Sequence, residues 1–375
     1  MPQKKQPPVT TSRDPAYENA TLLSKLTQQK KRGIFKGKTV IAFSDIDGTF
    51  VKKFHTNFLQ NVRNYTSVAN LIEFQKPSLA RATAELTTFL DDLYIPIVAI
   101  TGRHIQEVFD GQLWGKNYAE EQLPYFDLIC SSLGTNIYVR QKGDDSYIPD
   151  RLYNNSSLDT DGYDRNRLYP VAEELMQNLN QKFEKLDIKF APHDLQTNLF
   201  RYNDQKNLRL TPDQYKLTLF AQNDILDLPV LERLVTEWFN SNGFPEVQVI
   251  LSTDEEKTFI DIVPFGKDHA IKYVMDMTRT DIGIVAGDSG NDKLMIMHAP
   301  TAAIIPGGAR PELINEIKAI PGIKSTEYYV ILPNGVPIYI EPSEAEKDNY
   351  TGPKSLQKAF EAYLHHLISF NLELK

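Results

Sequence analysis

The chain's reactive side chains gather in four short segments. In Phe43-Ser44-Asp45-Ile46-Asp47-Gly48-Thr49, two carboxylates stand two residues apart at the end of an apolar run. Two clustered carboxylates repel by about 4 kcal/mol at 4 Å in a medium of effective dielectric 20. A hard divalent cation is the natural partner for such a pair, and Gly48 offers a turn in which backbone N–H groups converge. A plain acidic turn at a strand end is the alternative. The second segment, Thr101-Gly102-Arg103, follows the run Ile95–Ile100 and brings a hydroxyl and free N–H groups that can hold an anion. Alone it is weak, because a Thr-Gly helix cap is a commoner source of such a tripeptide. The third, Gly287-Asp288-Ser289-Gly290-Asn291-Asp292, sets two carboxylates four apart at a strand-to-helix junction. Metal ligation by Asp288, with Asp292 in support, accounts for acids concentrated there. The fourth is Lys267, the cation that a phosphate site built of carboxylates would otherwise lack.

Each segment needs a strand to carry it. Residues 39–43, 95–100, 127–134, 258–263, 281–287 and 301–306 are short apolar runs ended by acidic or glycine residues, as strands of a parallel sheet are. Helical spacing over 78–93 and near 267–277 alternates with them, so the two ends of the chain are expected to form one Rossmann-like α/β core with a parallel sheet. The middle differs: a turn-rich stretch, helices at 170–186 and 229–241, and alternating segments at 215–222 and 247–252 fit an inserted α+β cap. The expected division is a basic, flexible extension over 1–38, a core of 39–144 with 258–375, and a cap of 145–257.

Composition narrows the function. With 375 residues, two domains are expected. The formal charge of −8 argues against a dedicated nucleic-acid binder. Residues 1–38 carry a net +7 against −15 for the remainder, which reads as a solvated tail or, less simply, an arm for an anionic partner. A single cysteine, Cys130, excludes an internal disulfide and any cysteine-built metal site. No run reaches 18 apolar residues and no leader is visible, so a cytoplasmic protein without a membrane span is expected. His193, His269, His298, His365 and His366 lack metal-ligand spacing with acidic partners. The sequence does not fix an oligomeric state.

The order DxDGT, TGR, a lone lysine and GDSGND resembles the haloacid dehalogenase-like phosphohydrolases, in the subgroup whose large α+β cap lies between the second and third motifs. SDIDGTFV, AITGR, SSLGTNIY, YKLTLF, VPFGKDHAIKYV, GDSGND and ARPEL are similar, more narrowly, to sucrose-phosphate phosphatase and its relatives, over roughly 39–320. The resemblance implies that Asp45 is the nucleophile of an aspartyl-phosphate reaction and Asp47 the general acid and base. It implies that Mg²⁺ binds Asp45, the carbonyl of Asp47 and Asp288, with Asp292 completing the shell. Thr101, Gly102, Lys267 and Asn291 would then hold the phosphoryl group. The stretches 50–77 and 324–352 depart from the family's pattern and leave the substrate open.

The expected substrate is a small phosphorylated metabolite, a sugar or glycoside phosphate first. Lys216, Asn198 and Arg201 are the candidate cap contacts, with Tyr202 and Tyr215 beside them; ordinary exposed strand residues are the simpler account of any one of them. Two further readings stand: a phosphomutase or phosphotransferase passing the phosphoryl group to another hydroxyl, and a binding or regulatory module using the same fold.

Overall fold

The computed structural model describes residues 14–51, 81–114, 122–158, 165–182, 190–192, 216–221, 227–253, 258–325, 329–341 and 352–369. These form two sheets. The larger one is built around β1 (Val40–Ser44), with β2 (Ile97–Ile100) and β3 (Leu128–Ser131) parallel on one side. On the other side β10 (Ile282–Ala286), β11 (Ala302–Ile305) and β14 (Pro337–Ile340) run parallel to it. Antiparallel strands finish both edges: β4 (Asn136–Arg140) and β5 (Tyr147–Pro149) at one, β13 (Tyr329–Ile331) and β12 (Lys324–Ser325) at the other.

Every residue of β1, β2, β3, β10 and β11 is buried, because helices cover both faces. Alternation sorts them. Ile41, Phe43, Val98, Ile100 and Val285 face one core, with α1 (Thr21–Arg32), α7 (Lys267–Thr278) and α9 (Pro311–Lys318). Val40, Ala42, Ile97, Ala99 and Ile284 face the other, with α2 (Arg81–Asp92), α3 (Ile105–Trp114) and α10 (Pro353–Ser369). The chain leaves β1 toward β2 on one side and returns through β10 on the other. That reversal opens a crevice at the carboxyl ends of β1 and β10, where ligands of open α/β sheets bind.

The basic extension is corrected over residues 14–38. Tyr17, Leu22 and Leu26 are buried in the first core, and Gln29 is wholly enclosed. The Gln29 amide donates to the carbonyls of Val40 and Tyr94 at 2.9 and 2.8 Å, and its oxygen accepts from the Val40 N–H at 2.8 Å. The cations Lys30, Lys31 and Arg32 crowd the last turn of α1, where the helix dipole favours them, and leave its apolar face free to dock.

The smaller sheet has the order β6 (Phe190–Pro192), β7 (Leu217–Ala221), β9 (Thr258–Val263), β8 (Gln248–Thr253), all antiparallel. Leu217, Leu219, Ile260 and Ile262 face α5 (Arg165–Lys182) and α6 (Leu228–Ser241). Two boundaries therefore move. Thr258–Val263, expected as a strand of the parallel core, is central in the cap sheet. Conversely, β5 and α4 (Arg151–Leu158), expected in the cap, belong to the core through β4. Within 324–341, β12, β13 and β14 extend the main sheet, while 52–80, 326–328 and 342–351 lie outside the described residues. No helix among the described residues is long and apolar enough to cross a membrane.

Candidate active site

Three strands and one helix bring the four segments together. Asp45 follows β1, and its N–H donates to the Ala286 carbonyl of β10 at 2.9 Å, which brings the first and third segments side by side. Lys267 opens α7. Its ammonium, only 1% exposed, donates to Asp45 Oδ1 at 3.0 Å, Asp292 Oδ1 at 2.6 Å and Asn291 Oδ1 at 2.9 Å. Asp45, Asp288 and Asp292 each offer a buried carboxylate oxygen, all within 4.8 Å of one another.

The electrostatics are unbalanced. Burial, then Asp292 and Asp288, push the Asp45 carboxyl well above the usual carboxylate range, against the pull of Lys267. Burial would lower the Lys267 ammonium, but Asp292 and Asp45 outweigh it and hold it above its ordinary value. Lys267 thus bonds to two of the three clustered acids, Asp45 and Asp292. Close-set carboxylate oxygens of this kind fit a hard dication such as Mg²⁺.

Asp292 does more than supply charge. Its Oδ2 accepts from the N–H groups of Asp288 and Ser289, both at 3.1 Å, and so shapes the loop that presents Asp288. Asp288 Oδ1 accepts from Thr49 Oγ1 at 3.1 Å. Gly48, at φ +80°, lies so close that a Cβ there would collide with the Asp288 carboxylate. The DxDGT turn and the acidic loop are packed as one unit.

Asp47 points elsewhere. Arg103 grips it with a fork, Nε to Oδ2 at 2.7 Å and Nη2 to Oδ1. Burial opposes the Arg103 charge, but Asp47 holds the guanidinium firmly ionised. Sequence reasoning noted Arg103 only as a letter of a motif and missed this role; its place two residues after Thr101, on the loop facing Asp47, was the available signal. Thr101 is buried, and its Oγ1 accepts from the Arg103 N–H at 3.1 Å, leaving its O–H to donate. Gly102 follows on the same loop, against Leu133.

The cap sheet's second face turns to this crevice. Its Ile250 and Val263 pack with core Leu133, and the Leu251 carbonyl lies against Gly290. Direct pairing puts Thr218, Asp261 and Ile250 in one row of that face, with Lys216 beside them. Lys216 Nζ lies 3.4 Å from Asp261 Oδ1, which also accepts from Thr218 Oγ1. Asn198, Arg201, Tyr202 and Tyr215 lie outside the described residues.

A family model described as sucrose-6F-phosphate phosphohydrolase matches residues 212–325, a stretch that holds β7, β9, Lys267 and the acidic loop. No curated protein sequence matches the chain. Among solved structures, it is similar to SMU.1108c of Streptococcus mutans UA159, at 12% identity and a TM-score of 0.44, over 87% of this chain and 98% of that one. A haloacid dehalogenase-like hydrolase from Bacillus subtilis is similar at 13% identity and a TM-score of 0.41, over 87% and 98%. One from Bacteroides thetaiotaomicron is similar at 14% identity and a TM-score of 0.41, over 87% and 99%. The four motifs stand in the order seen in haloacid dehalogenase-like phosphohydrolases, and over residues 212–325 the chain is similar to the sucrose-6F-phosphate phosphohydrolase family.

Proposed function

We propose that this protein hydrolyses a phosphate monoester of a small polar metabolite, a sugar or glycoside phosphate, with Mg²⁺ and through a phosphorylated Asp45. The observation that supports this most is the buried junction of Lys267 with Asp45, Asp288 and Asp292 at the sheet's carboxyl edge. An Asp45 oxygen attacks phosphorus as the bond to the leaving oxygen breaks, and Asp47 gives that oxygen its proton. Asp47 then takes a proton from the water that attacks the acyl phosphate, which releases inorganic phosphate and restores Asp45. Lys267 and the Thr101 hydroxyl hold the phosphoryl oxygens while charge shifts among them. Asn291 keeps Lys267 directed, and Gly102 leaves room beside Thr101. Asp45, Asp288, Asp292 and the carbonyl of Asp47 would hold Mg²⁺, which offsets the repulsion between these acids and the ester dianion.

The cap favours a neutral, hydroxylated leaving group. Lys216 and Asp261 already neutralise each other, so a second anionic group would have to part a largely buried pair. Sugar hydroxyls can bond to both without separating them.

The test is inorganic phosphate release from a panel of phosphorylated sugars, nucleotides and glycerates with Mg²⁺, wild type beside Asp45→Asn. Release from sugar phosphates that disappears in Asp45→Asn and in chelator is expected. An Asp45→Asn protein with full activity removes the reading.

A further inference from the structure

On the side away from the acids, the DxDGT turn meets the start of the C-terminal helix. Gly352, at φ +76°, stands just before Pro353, and its open side faces three carbonyl oxygens of that turn. A Cβ at Gly352 would sit 3.1 Å from the oxygen of Gly48, 3.3 Å from that of Thr49 and 3.4 Å from that of Val51. The turn has no slack to absorb the push: Phe50 and Val51 donate back to the Ile46 carbonyl, and Gly48 donates to Val51. Across the turn, Gly48 touches Asp288 and Thr49 donates to it.

A second route joins the same two places. The Gly307 N–H donates to Ser355 Oγ at 2.6 Å, which seats the first turn of α10 on the 306–310 loop. From that loop, the Arg310 N–H donates to the Asp288 carbonyl at 2.8 Å. Leu356, Phe360 and Leu364 anchor the helix in the second core.

We infer that Gly352 and the first turn of α10 form a positioning element for the site, fixing the DxDGT turn against Asp288. The inference rests on the proposed phosphatase reading. The C-terminal helix is thereby a support of the acid cluster as well as a cover for the sheet.

Gly335 supplies the control. It has φ +83° and nothing within 4 Å of its Cβ position, so Gly335→Ala incurs the same backbone strain and displaces nothing. Gly352→Ala is expected to lower kcat for phosphate release about tenfold with KM within about twofold, as sub-ångström misplacement of reacting groups does. It should also lose most of the rise in thermal midpoint that Mg²⁺ gives the wild type, a readout independent of turnover. Gly335→Ala should keep both. If Gly352→Ala does not fold, Ser355→Ala carries the test: it adds no atoms, removes one bond of the seat, and should move both readouts the same way by a smaller factor. Gly352→Ala or Ser355→Ala matching Gly335→Ala in both overturns the inference. A wild type that neither releases phosphate nor responds to Mg²⁺ overturns the phosphatase reading instead.

Discussion

Replacing Arg103 by Met tests whether the fork on Asp47 tunes an acid or only holds a loop. Arg103 is nearly enclosed, whereas the Asp47 side chain is 33% exposed. A guanidinium beside a carboxylate favours the ionised form of that carboxylate. In the proposed reaction Asp47 carries a proton when the leaving oxygen departs, so the high-pH limb of kcat would report its ionisation. Losing the cation makes that proton easier to keep. The limb should therefore move to higher pH in Arg103→Met, while kcat at neutral pH falls about 10- to 100-fold because Asp47 is no longer aimed. Arg103→Lys should restore the limb and only part of the rate, since an ammonium replaces the charge but not the two-point geometry. The assay is a pH–rate profile on a saturating sugar phosphate. A limb that stays at the wild-type position while the rate falls would show that Arg103 orients without tuning; an unchanged rate would refute both roles.

Without Mg²⁺, the raised Asp45 carboxyl makes the folded state bind more protons than the unfolded chain, so thermal stability should fall as pH rises from about 4 through the raised value. Asp45→Asn should flatten that slope in metal-free melts; an unchanged slope counts against the acid cluster as its origin. Lys267→Met leaves the buried acids without their lysine and should cost about 3–5 kcal/mol in metal-free denaturant unfolding. A loss under about 1 kcal/mol would mean that solvent reaches the cluster. Gln29→Leu strands the buried Val40 N–H, at a cost of about 1–3 kcal/mol by the same measurement. A neutral result would mean that α1 contributes nothing to the edge of β1.

Local chemistry was the legible part. Asp45, Thr101, Asp288 and Lys267 lie at ends of elements whose apolar runs announce them, and the sheet order brings those ends together. Side-chain pairings across sequence distance were not legible. The place of Arg103 two residues after Thr101 puts it on the right loop, but its fork on Asp47, 56 residues earlier, is a tertiary pairing. The basic residues of 14–38 set the average for that stretch and masked Tyr17, Leu22, Leu26 and Gln29, whose burial decides where it goes. Average charge describes the solvent face of a docked helix, not whether it docks.

The misplacement of Thr258–Val263 has a more instructive cause. A central antiparallel strand can read like a parallel one when both its faces are covered. In β9, Ile260 and Ile262 face α5 and α6, while Val263 packs with Leu133 of the core and Asp261 is neutralised by Lys216. Only Asp261 broke the apolar run, and its partner lies 45 residues earlier. The same strand then passes through Pro264-Phe265-Gly266 straight into Lys267, at the head of α7. The strand that carries the cap's charge pair thus ends four residues before the lysine on Asp45. A shift of the cap sheet along that connection would act at the lysine's own backbone, which ties the cap's seating to the Lys267–Asp45 pair by covalent geometry.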